Sequence, residues 1–302
     1  EPKEIATGIE SAFQCLQLTS SNFYLYIINK AGTQKQLLTL DTAAPVSTQI
    51  VAQQTFPDDL DMSIQTHDGL FSCLIPKTSL SISKMNEDGS MGSEISLDSH
   101  IPEERRTYFG NVLYNDSFWI PIFYIPQPDG KTTPDPTYPE LSIYSRTGNQ
   151  IDEQVSSTLS LTVNTQKLAL YEDKLFEFRT EITSETGDEI SQIDNITFLY
   201  TYTLDDPTRP TLLSKFRIPS SDESTRGSGM SISDVAVHGN YLVYGSSLSE
   251  SGVIDISDPE NPKHVSFLPK ARYVFWYNNL LGMGFNNPIL FYEIDPLHGP
   301  IE

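Results

Sequence analysis

The feature that most constrains the fold is an internal repeat in the C-terminal half of the chain. Residues 204–210 read Leu-Asp-Asp-Pro-Thr-Arg-Pro, and 52 residues later residues 256–262 read Ile-Ser-Asp-Pro-Glu-Asn-Pro. Each segment follows an apolar run, carries D-P-x-x-P and leads into another run, and residues 294–296 (Ile-Asp-Pro) begin the pattern again. Proline ends a strand and fixes φ, while aspartate accepts hydrogen bonds from turn amides. The pattern therefore predicts a repeated unit of strand, tight turn and outer strand.

Short runs rich in Tyr, Phe, Ile, Val and Thr occupy much of the chain. Residues 118–124 (Phe-Trp-Ile-Pro-Ile-Phe-Tyr) and 196–202 (Ile-Thr-Phe-Leu-Tyr-Thr-Tyr) are examples, and turn formers such as residues 238–240 (His-Gly-Asn) separate the runs. These residue types favour pleated, half-buried strands joined by tight turns. Because no segment keeps a helical period, the pattern is typical of an all-β sandwich, barrel or propeller. A repeat of about 40 to 60 residues with four short strands favours the propeller.

We predict a single β-propeller of four-stranded blades over residues 1–302. Six blades fit the chain best, and seven is the alternative because residues 155–170 leave room for extra strands. The predicted blades span approximately residues 10–55, 57–98, 102–157, 159–219, 229–268 and 271–302. The last blade has three strands of its own, and we expect residues 3–7 to supply the fourth, which would close the ring and remove an exposed sheet edge. A chain that forms part of a longer propeller is a further alternative.

The most specific sequence pattern lies in the fifth predicted blade. Residues 232–244 read Ile-Ser-Asp-Val-Ala-Val-His-Gly-Asn-Tyr-Leu-Val-Tyr, and residues 252–262 read Gly-Val-Ile-Asp-Ile-Ser-Asp-Pro-Glu-Asn-Pro. This text resembles the LVIVD-repeat family of bacterial and archaeal cell-surface propellers. Residues 199–210 resemble the same repeat over a shorter stretch and residues 274–296 more loosely, whereas the first three predicted blades depart from it.

The LVIVD resemblance implies a propeller fold, an extracellular or cell-surface location, with the periplasm as an alternative, and a binding or scaffold role. It brings no catalytic motif. The sequence itself contains neither a G-x-S-x-G nor an H-E-x-x-H pattern, so we lean against an enzyme. The predicted function is therefore a secreted or cell-surface module that binds a protein or a glycan. The alternative is a carboxylate- or calcium-dependent hydrolase or lyase with its site at the central channel.

The charge of the chain excludes several classes of partner. Its 40 Asp and Glu residues against 19 Lys and Arg give a formal net charge of −21. A duplex nucleic-acid binder neutralises phosphates with cationic side chains, and an anionic membrane surface attracts them, so neither is an expected partner. No apolar run approaches the roughly 18 residues that a membrane helix needs, so we predict no integral membrane segment.

The cysteines and the first residue bear on cellular context. The chain begins at Glu1 without a signal-like segment, which is typical of a mature or trimmed product. Cys15 and Cys73 each lie in an apolar stretch, which favours two buried thiols and leaves one disulfide between them as the alternative. Sequons at Asn115 and Asn195 support a secreted setting only weakly, because such triplets arise often by chance.

Asp58, Asp59 and Asp61 form the first candidate site, just before a predicted inner strand. Calcium takes six to eight oxygen ligands, and three carboxylates within four residues are a possible start for such a set. The alternative is a solvated acidic turn. Calcium is the one cofactor that the sequence suggests.

Four further charged residues stand near the predicted starts of inner strands. Arg105 and Arg106 follow two glutamates, and their planar guanidinium groups suit a carboxylate ligand or, alternatively, local pairing with those glutamates. Asp234 is a candidate channel acid in the fifth blade, with a structural role in the repeat as the alternative. Arg272 stands at the start of the sixth blade.

Tyr124 precedes a proline-rich excursion at residues 127–139, and Tyr138 lies near its end. Prolines reduce the conformational freedom that a loop loses on binding, and a long loop in a compact domain is often functional. We therefore expect the two tyrosines to be exposed contact residues. A tolerated insertion without a binding role is the alternative.

Overall fold

The protein forms 25 β-strands in six antiparallel sheets within the part of the chain that this computed structural model describes. The described residues are 12–17, 22–28, 35–41, 49–56, 61–62, 70–74, 80–85, 91–96, 109–114, 117–126, 132–134, 140–147, 150–160, 162, 164–185, 192–220, 230–277, 280–285, 289–295 and 299–301. Side chains are described mainly within residues 164–181, 195–220, 230–276 and 281–285.

Sheets 1 to 3 occupy the N-terminal half. Sheet 1 contains β1 (Ala12–Gln17), β2 (Asn22–Ile28), β3 (Lys35–Asp41) and β4 (Gln49–Phe56). Sheet 2 contains β5 (Asp61–Met62), β6 (Leu70–Leu74), β7 (Leu80–Met85) and β8 (Met91–Ser96). Sheet 3 contains β9 (Phe109–Tyr114), β10 (Phe118–Pro126), β11 (Thr132–Pro134), β12 (Glu140–Thr147) and β13 (Gln150–Ser160).

Sheets 4 to 6 occupy the C-terminal half. Sheet 4 contains β14 (Thr165–Tyr171), β15 (Lys174–Glu185), β16 (Gln192–Thr203) and β17 (Thr211–Arg217). Sheet 5 contains β18 (Ile232–His238), β19 (Tyr241–Ser246), β20 (Ser251–Asp255) and β21 (Lys263–Leu268). Sheet 6 contains β22 (Tyr273–Tyr277), β23 (Leu280–Gly284), β24 (Ile289–Asp295) and β25 (Gly299–Ile301).

Two details differ from the strand pattern predicted from the sequence. Sheet 6 contains a fourth strand of its own, β25, whereas residues 3–7, which were predicted to close the ring, lie outside the described residues. The proline-rich excursion contributes β11, which pairs with the end of β10 so that Tyr124 stands opposite Pro134. Much of residues 155–170, which the seven-blade alternative needs for extra strands, belongs to the long strand β13 and to β14.

The D-P-x-x-P segments form the predicted turns between the third and fourth strands of sheets 4 and 5. Asp206 Oδ1 accepts a hydrogen bond from the Thr208 amide at 3.0 Å, and Asp258 Oδ1 accepts one from the Glu260 amide at 3.1 Å. These turn contacts lower the pKa of Asp206, through Thr208 first, and of Asp258, through Asn261 first. The predicted unit of strand, turn and outer strand is thus confirmed in both sheets.

The hairpins from β14 to β15 and from β18 to β19 also repeat each other. Each turn has two residues, and the first of them lies in the left-handed region, with φ of 51° at Glu172 and 54° at Gly239. Glycine adopts this conformation without steric cost, whereas glutamate pays a small one. The matching turns set a common numbering, so that Lys167 in β14 corresponds to Asp234 in β18.

The apolar cores lie between successive sheets. Leu113, Ile120 and Ile143 of sheet 3 pack with a sheet 4 group comprising Leu168, Leu175, Tyr200, Tyr202 and Leu204. The opposite face of sheet 4 packs on sheet 5 through a core that includes Ala169, Phe176, Phe178, Leu199, Leu242, Tyr244 and Ile254. Sheet 5 packs on sheet 6 through a core that includes Val243, Val253, Val274, Trp276, Leu281 and Met283.

The first strands of successive sheets lie side by side. β14 contacts β9 on one side and β18 on the other, β18 contacts β22, and β22 contacts β1 of the first sheet. We call these first strands the inner strands. The end at which β14, β18 and β22 begin is the upper end, and the D-P-x-x-P turns lie at the lower end.

Candidate functional site at the upper end

Bulged residues at the upper end join two inner strands, β14 and β18, to the next sheet. β14 and β18 each contain a register shift near their first residue, which places Gln166 and Ser233 outside the regular pairing. The Gln166 side chain donates to the Met230 carbonyl at 2.7 Å and accepts from the Ile232 amide at 2.6 Å. Ser233 Oγ donates to the Ala271 carbonyl at 3.0 Å. Side-chain hydrogen bonds therefore connect sheet 4 to sheet 5 and sheet 5 to sheet 6.

Asp234 adds a second connection between the inner strands. Its Oδ1 accepts from the Val235 amide and its Oδ2 from the Val274 amide of β22, both at 3.0 Å. Burial raises the pKa of Asp234, while nearby Lys167 and the two amides oppose that rise. Both oxygens already bind backbone, which is the structural role that we gave as the alternative to a channel acid.

Arg272 lies in the connection from sheet 5 to sheet 6. Its amide donates to the Gly284 carbonyl at 2.7 Å, and the amide of Ala271 donates to the Ser246 carbonyl at 3.0 Å. The backbone of this connection is thus held between the ends of β19 and β23. Lys270 and Arg272 are exposed, and neither forms an ion pair with a carboxylate in the part of the chain that the structure describes.

The turn after β19 presents an exposed leucine on a fixed backbone. Leu248 is 70% exposed. The Ser246 amide donates to Ser251 Oγ at 3.1 Å, the Ser249 amide donates to Ser246 Oγ at 3.1 Å, and the two hydroxyls of Ser246 and Ser249 are 2.7 Å apart. Three serines therefore hold the turn that carries the leucine.

Phe285 follows β23 at the corresponding turn of sheet 6 and is 40% exposed. Because β18 and β22 lie side by side, the turns after β19 and β23 lie at the same end, and residues 271 and 272 hydrogen-bond to the ends of these two strands. Leu248, Lys270, Arg272 and Phe285 together form what we call the 248–285 patch. A patch of large apolar and cationic side chains is able to bury apolar surface and pair with carboxylates of a ligand.

A cluster of paired charges lies within sheet 4. The Glu177 carboxylate is fully buried and binds Arg179 through Nε at 3.0 Å and Nη2 at 2.6 Å. It also accepts hydrogen bonds from Thr165 and, at 3.3 Å, from Tyr202. Burial, and then the Glu177 charge, raises the pKa of Tyr202. With its oxygens occupied by one cation and two hydroxyls, Glu177 serves the packing of sheet 4.

The charged cluster continues outward along the same face. Glu181 accepts from Lys215 Nζ at 2.7 Å and from the Tyr200 hydroxyl. Lys215 Nζ lies 4.2 Å from the centroid of the Phe198 ring, and the Arg179 guanidinium lies 4.5 Å from that of Tyr200. Sequence reasoning missed this cluster, although charged residues two apart on one strand were a usable signal.

Sheet 5 carries buried polar atoms at the corresponding place. Tyr244 is fully buried, and its ring centroid lies 5.8 Å from that of Phe178. A Cβ at Gly252 would lie 2.5 Å from the Tyr244 hydroxyl and 2.9 Å from His264 Nε2, so a larger residue there would force one of these side chains to move. These two atoms and Glu250 Oε2 are buried without a protein hydrogen-bond partner. Burial raises the pKa of Tyr244 and lowers that of His264.

The other predicted site residues lie where the structure describes the backbone alone or outside the described residues. Asp61 and Tyr124 lie in β5 and β10, where the backbone alone is described. The remaining predicted residues lie outside the described part of the chain: Asp58, Asp59, Arg105, Arg106 and Tyr138. The calcium site, and with it the calcium-dependent hydrolase alternative, stays a prediction.

Within the described residues, no cluster of three or more His, Cys, Asp or Glu side chains is placed to hold a metal ion. A search of the same residues for a helix long and apolar enough to cross a membrane found none.

Comparison with known proteins identifies the class of fold. No family model and no curated protein matches the sequence. The β-propeller domain of Cps50 (Swd1) from Myceliophteria thermophila is similar in structure, with a TM-score of 0.51 at 10% identity over 97% of this chain and 99% of that one. A chain of the nidogen/laminin complex is similar at a TM-score of 0.51 and 10% identity over 93% and 92%. The chain therefore has a β-propeller fold.

Proposed function

We propose that this protein is a secreted or cell-surface β-propeller of six blades that binds a partner protein through its upper end. The observation that carries the proposal is the exposure of Leu248 and Phe285 on neighbouring turns of one end. Large apolar side chains grouped on a surface mark a binding site more often than isolated ones do. The structural relatives support the fold, and the binding role rests on the patch.

Six blades are supported by the six sheets and by the contact of β1 with β22, which brings the first and last sheets together. The extracellular location rests on the LVIVD-like text of residues 232–262. Fractionation of the producing cells tests the location: the protein is expected in the medium or on the cell surface, and recovery in the cytoplasm alone would overturn that part of the proposal.

Site-specific photo-cross-linking tests the binding role. A benzoylphenylalanine at Leu248 is expected to give a discrete adduct with one partner protein on the producing cells. The matched control is Leu212, which is 48% exposed on the outer strand β17 and lies outside the patch. Adducts that are equal at both positions, or absent at both, would show that the upper end is not the binding surface.

A further inference from the structure

The 248–285 patch joins apolar and cationic groups in a protein that is otherwise strongly acidic. We propose that it binds an acidic segment of the partner protein, an extended peptide that carries carboxylates and at least one large apolar side chain. The inference rests on the proposed function and specifies the chemistry of its partner.

The backbone places the cations between the two apolar side chains. The connection that carries Lys270 and Arg272 is hydrogen-bonded to the end of β19 on one side and to the end of β23 on the other. Leu248 follows the first of these strands and Phe285 follows the second. A peptide that crosses the connection therefore meets an apolar side chain, then positive charge, then an apolar side chain.

The exposed charged side chains of the patch, Lys270 and Arg272, are both cationic, whereas the whole chain has a net charge of −21. Glu250, the acidic residue of the adjacent turn, has its Oε2 buried, and both oxygens of Asp234 accept backbone hydrogen bonds. At physiological salt the screening length is about 8 Å, so the field at the patch depends mainly on charges within about that distance. The patch therefore attracts carboxylates, and the planar guanidinium of Arg272 suits their bidentate geometry.

The patch is already ordered before it binds. Serine hydrogen bonds fix the turn that carries Leu248, and backbone hydrogen bonds fix Ala271 and Arg272, which follow Lys270. Ordering a loop on binding reduces affinity, so a fixed surface retains more of the contact energy. This favours recognition of a short extended peptide, whose own ordering is the remaining cost.

A random-peptide phage library selected on the intact protein tests the proposal. Enriched peptides are expected to combine Asp or Glu with Leu, Phe or another large apolar residue. Binding of an enriched peptide, measured by fluorescence anisotropy, should weaken at least about tenfold in Lys270→Glu/Arg272→Glu and in Leu248→Ser. The control Lys263→Glu, which changes an exposed lysine on the outer strand β21, should leave binding unchanged.

Other outcomes overturn the proposal in distinguishable ways. Enriched peptides without acidic bias, or equal binding to Lys270→Glu/Arg272→Glu, would refute the partner chemistry. A dimer in sedimentation analysis that this double variant dissociates would make a second copy of the chain the occupant. Failure to enrich any peptide would refute peptide recognition, whereas the cross-link at Leu248 would still test whether the surface binds a folded protein.

Discussion

Sheets 4 and 5 share strand order, inner-strand bulge and two-residue hairpin, yet they fill the space beside the preceding sheet with different chemistry. The second strand of sheet 4 directs Glu177 into that space, and sheet 5 has Tyr244 at the corresponding position. The residue opposite on the third strand is Tyr200 in sheet 4 and Gly252 in sheet 5. Backbone geometry is thus repeated where side-chain chemistry is not.

Each of these buried side chains requires different neighbours. A buried carboxylate needs a cation and hydroxyl donors, which Arg179, Thr165 and Tyr202 supply. A buried tyrosine ring needs volume, which the missing side chain of Gly252 supplies. Replacing Glu177 or Tyr244 by the residue at the corresponding position of the other sheet, without its neighbours, is therefore expected to destabilise the protein.

The largest effect is expected for Arg179→Ala in sheet 4. It leaves the carboxylate of Glu177 buried without its cation, which costs about 3–5 kcal/mol of unfolding free energy. Lys215→Ala is the control, because it removes a cation at a similar distance from a more exposed carboxylate and should cost about 1 kcal/mol or less. Chemical denaturation measures both, and equal losses would refute the special cost of the buried pair.

The next effect concerns Gly252→Ala in sheet 5. The added Cβ collides with the Tyr244 ring, and overpacking of this kind costs about 1–3 kcal/mol. The second-site change Tyr244→Met should recover part of the loss, since Met283 holds the corresponding position in sheet 6. Thermal denaturation of single and double variants measures the coupling, and additive losses would contradict the steric explanation.

Removing one tyrosine hydroxyl from each sheet is expected to change the free energy of unfolding in opposite directions. Tyr202→Phe loses the hydrogen bond to Glu177 and should destabilise the protein by about 1 kcal/mol. Tyr244→Phe removes a buried hydroxyl without a protein partner and should stabilise it by up to about 1 kcal/mol. Urea denaturation measures the change in both variants. Destabilisation by Tyr244→Phe would contradict the prediction and would show that the Tyr244 hydroxyl has a hydrogen-bond partner.

The smallest effects on stability are expected from the titration of one residue in each sheet, at different pH. Burial lowers the pKa of His264 below 6.5, so the unfolded chain binds the proton first and stability falls as pH drops below that value. Burial raises the pKa of Glu181, but hydrogen bonds from Lys215 and Tyr200 bring it below 4.5 overall, so its stabilisation is lost as pH falls below that value. The melting temperature should depend less on pH below 6.5 in His264→Gln, and less on pH below 4.5 in Glu181→Gln.

The features that the sequence predicted best are those specified by neighbouring residues. The D-P-x-x-P turns and the Gly239 hairpin depend on local chemistry, and both form where their text predicts. The pairing of Gln166 with residues 230–232 was missed, because a bulge and a distant segment together create it. Glu177 and Arg179 were missed for a related reason, since their environment includes a face of the preceding sheet.

The candidate site was predictable only in part. Arg272 was expected at the start of sheet 6 and is exposed there, and Asp234 was expected with two alternative roles. Leu248 and Phe285 were not singled out, because an apolar residue beside a turn is ordinary until its neighbours across the sheets are known. The exposure of these two side chains depends on how neighbouring sheets pack at the upper end, and local sequence does not determine that packing.

The placement of the cores between sheets has a consequence for how such a chain can evolve. Each core takes one wall from one sheet and the other wall from the next, so a core straddles the boundary of the repeat. Duplicating or exchanging a single repeat by recombination would therefore join walls selected for different neighbours. Tyr244 moved beside a sheet without Phe178, for example, would lose its packing partner. Successful rearrangements should carry at least two neighbouring sheets together, so that the complete core between them moves as one unit.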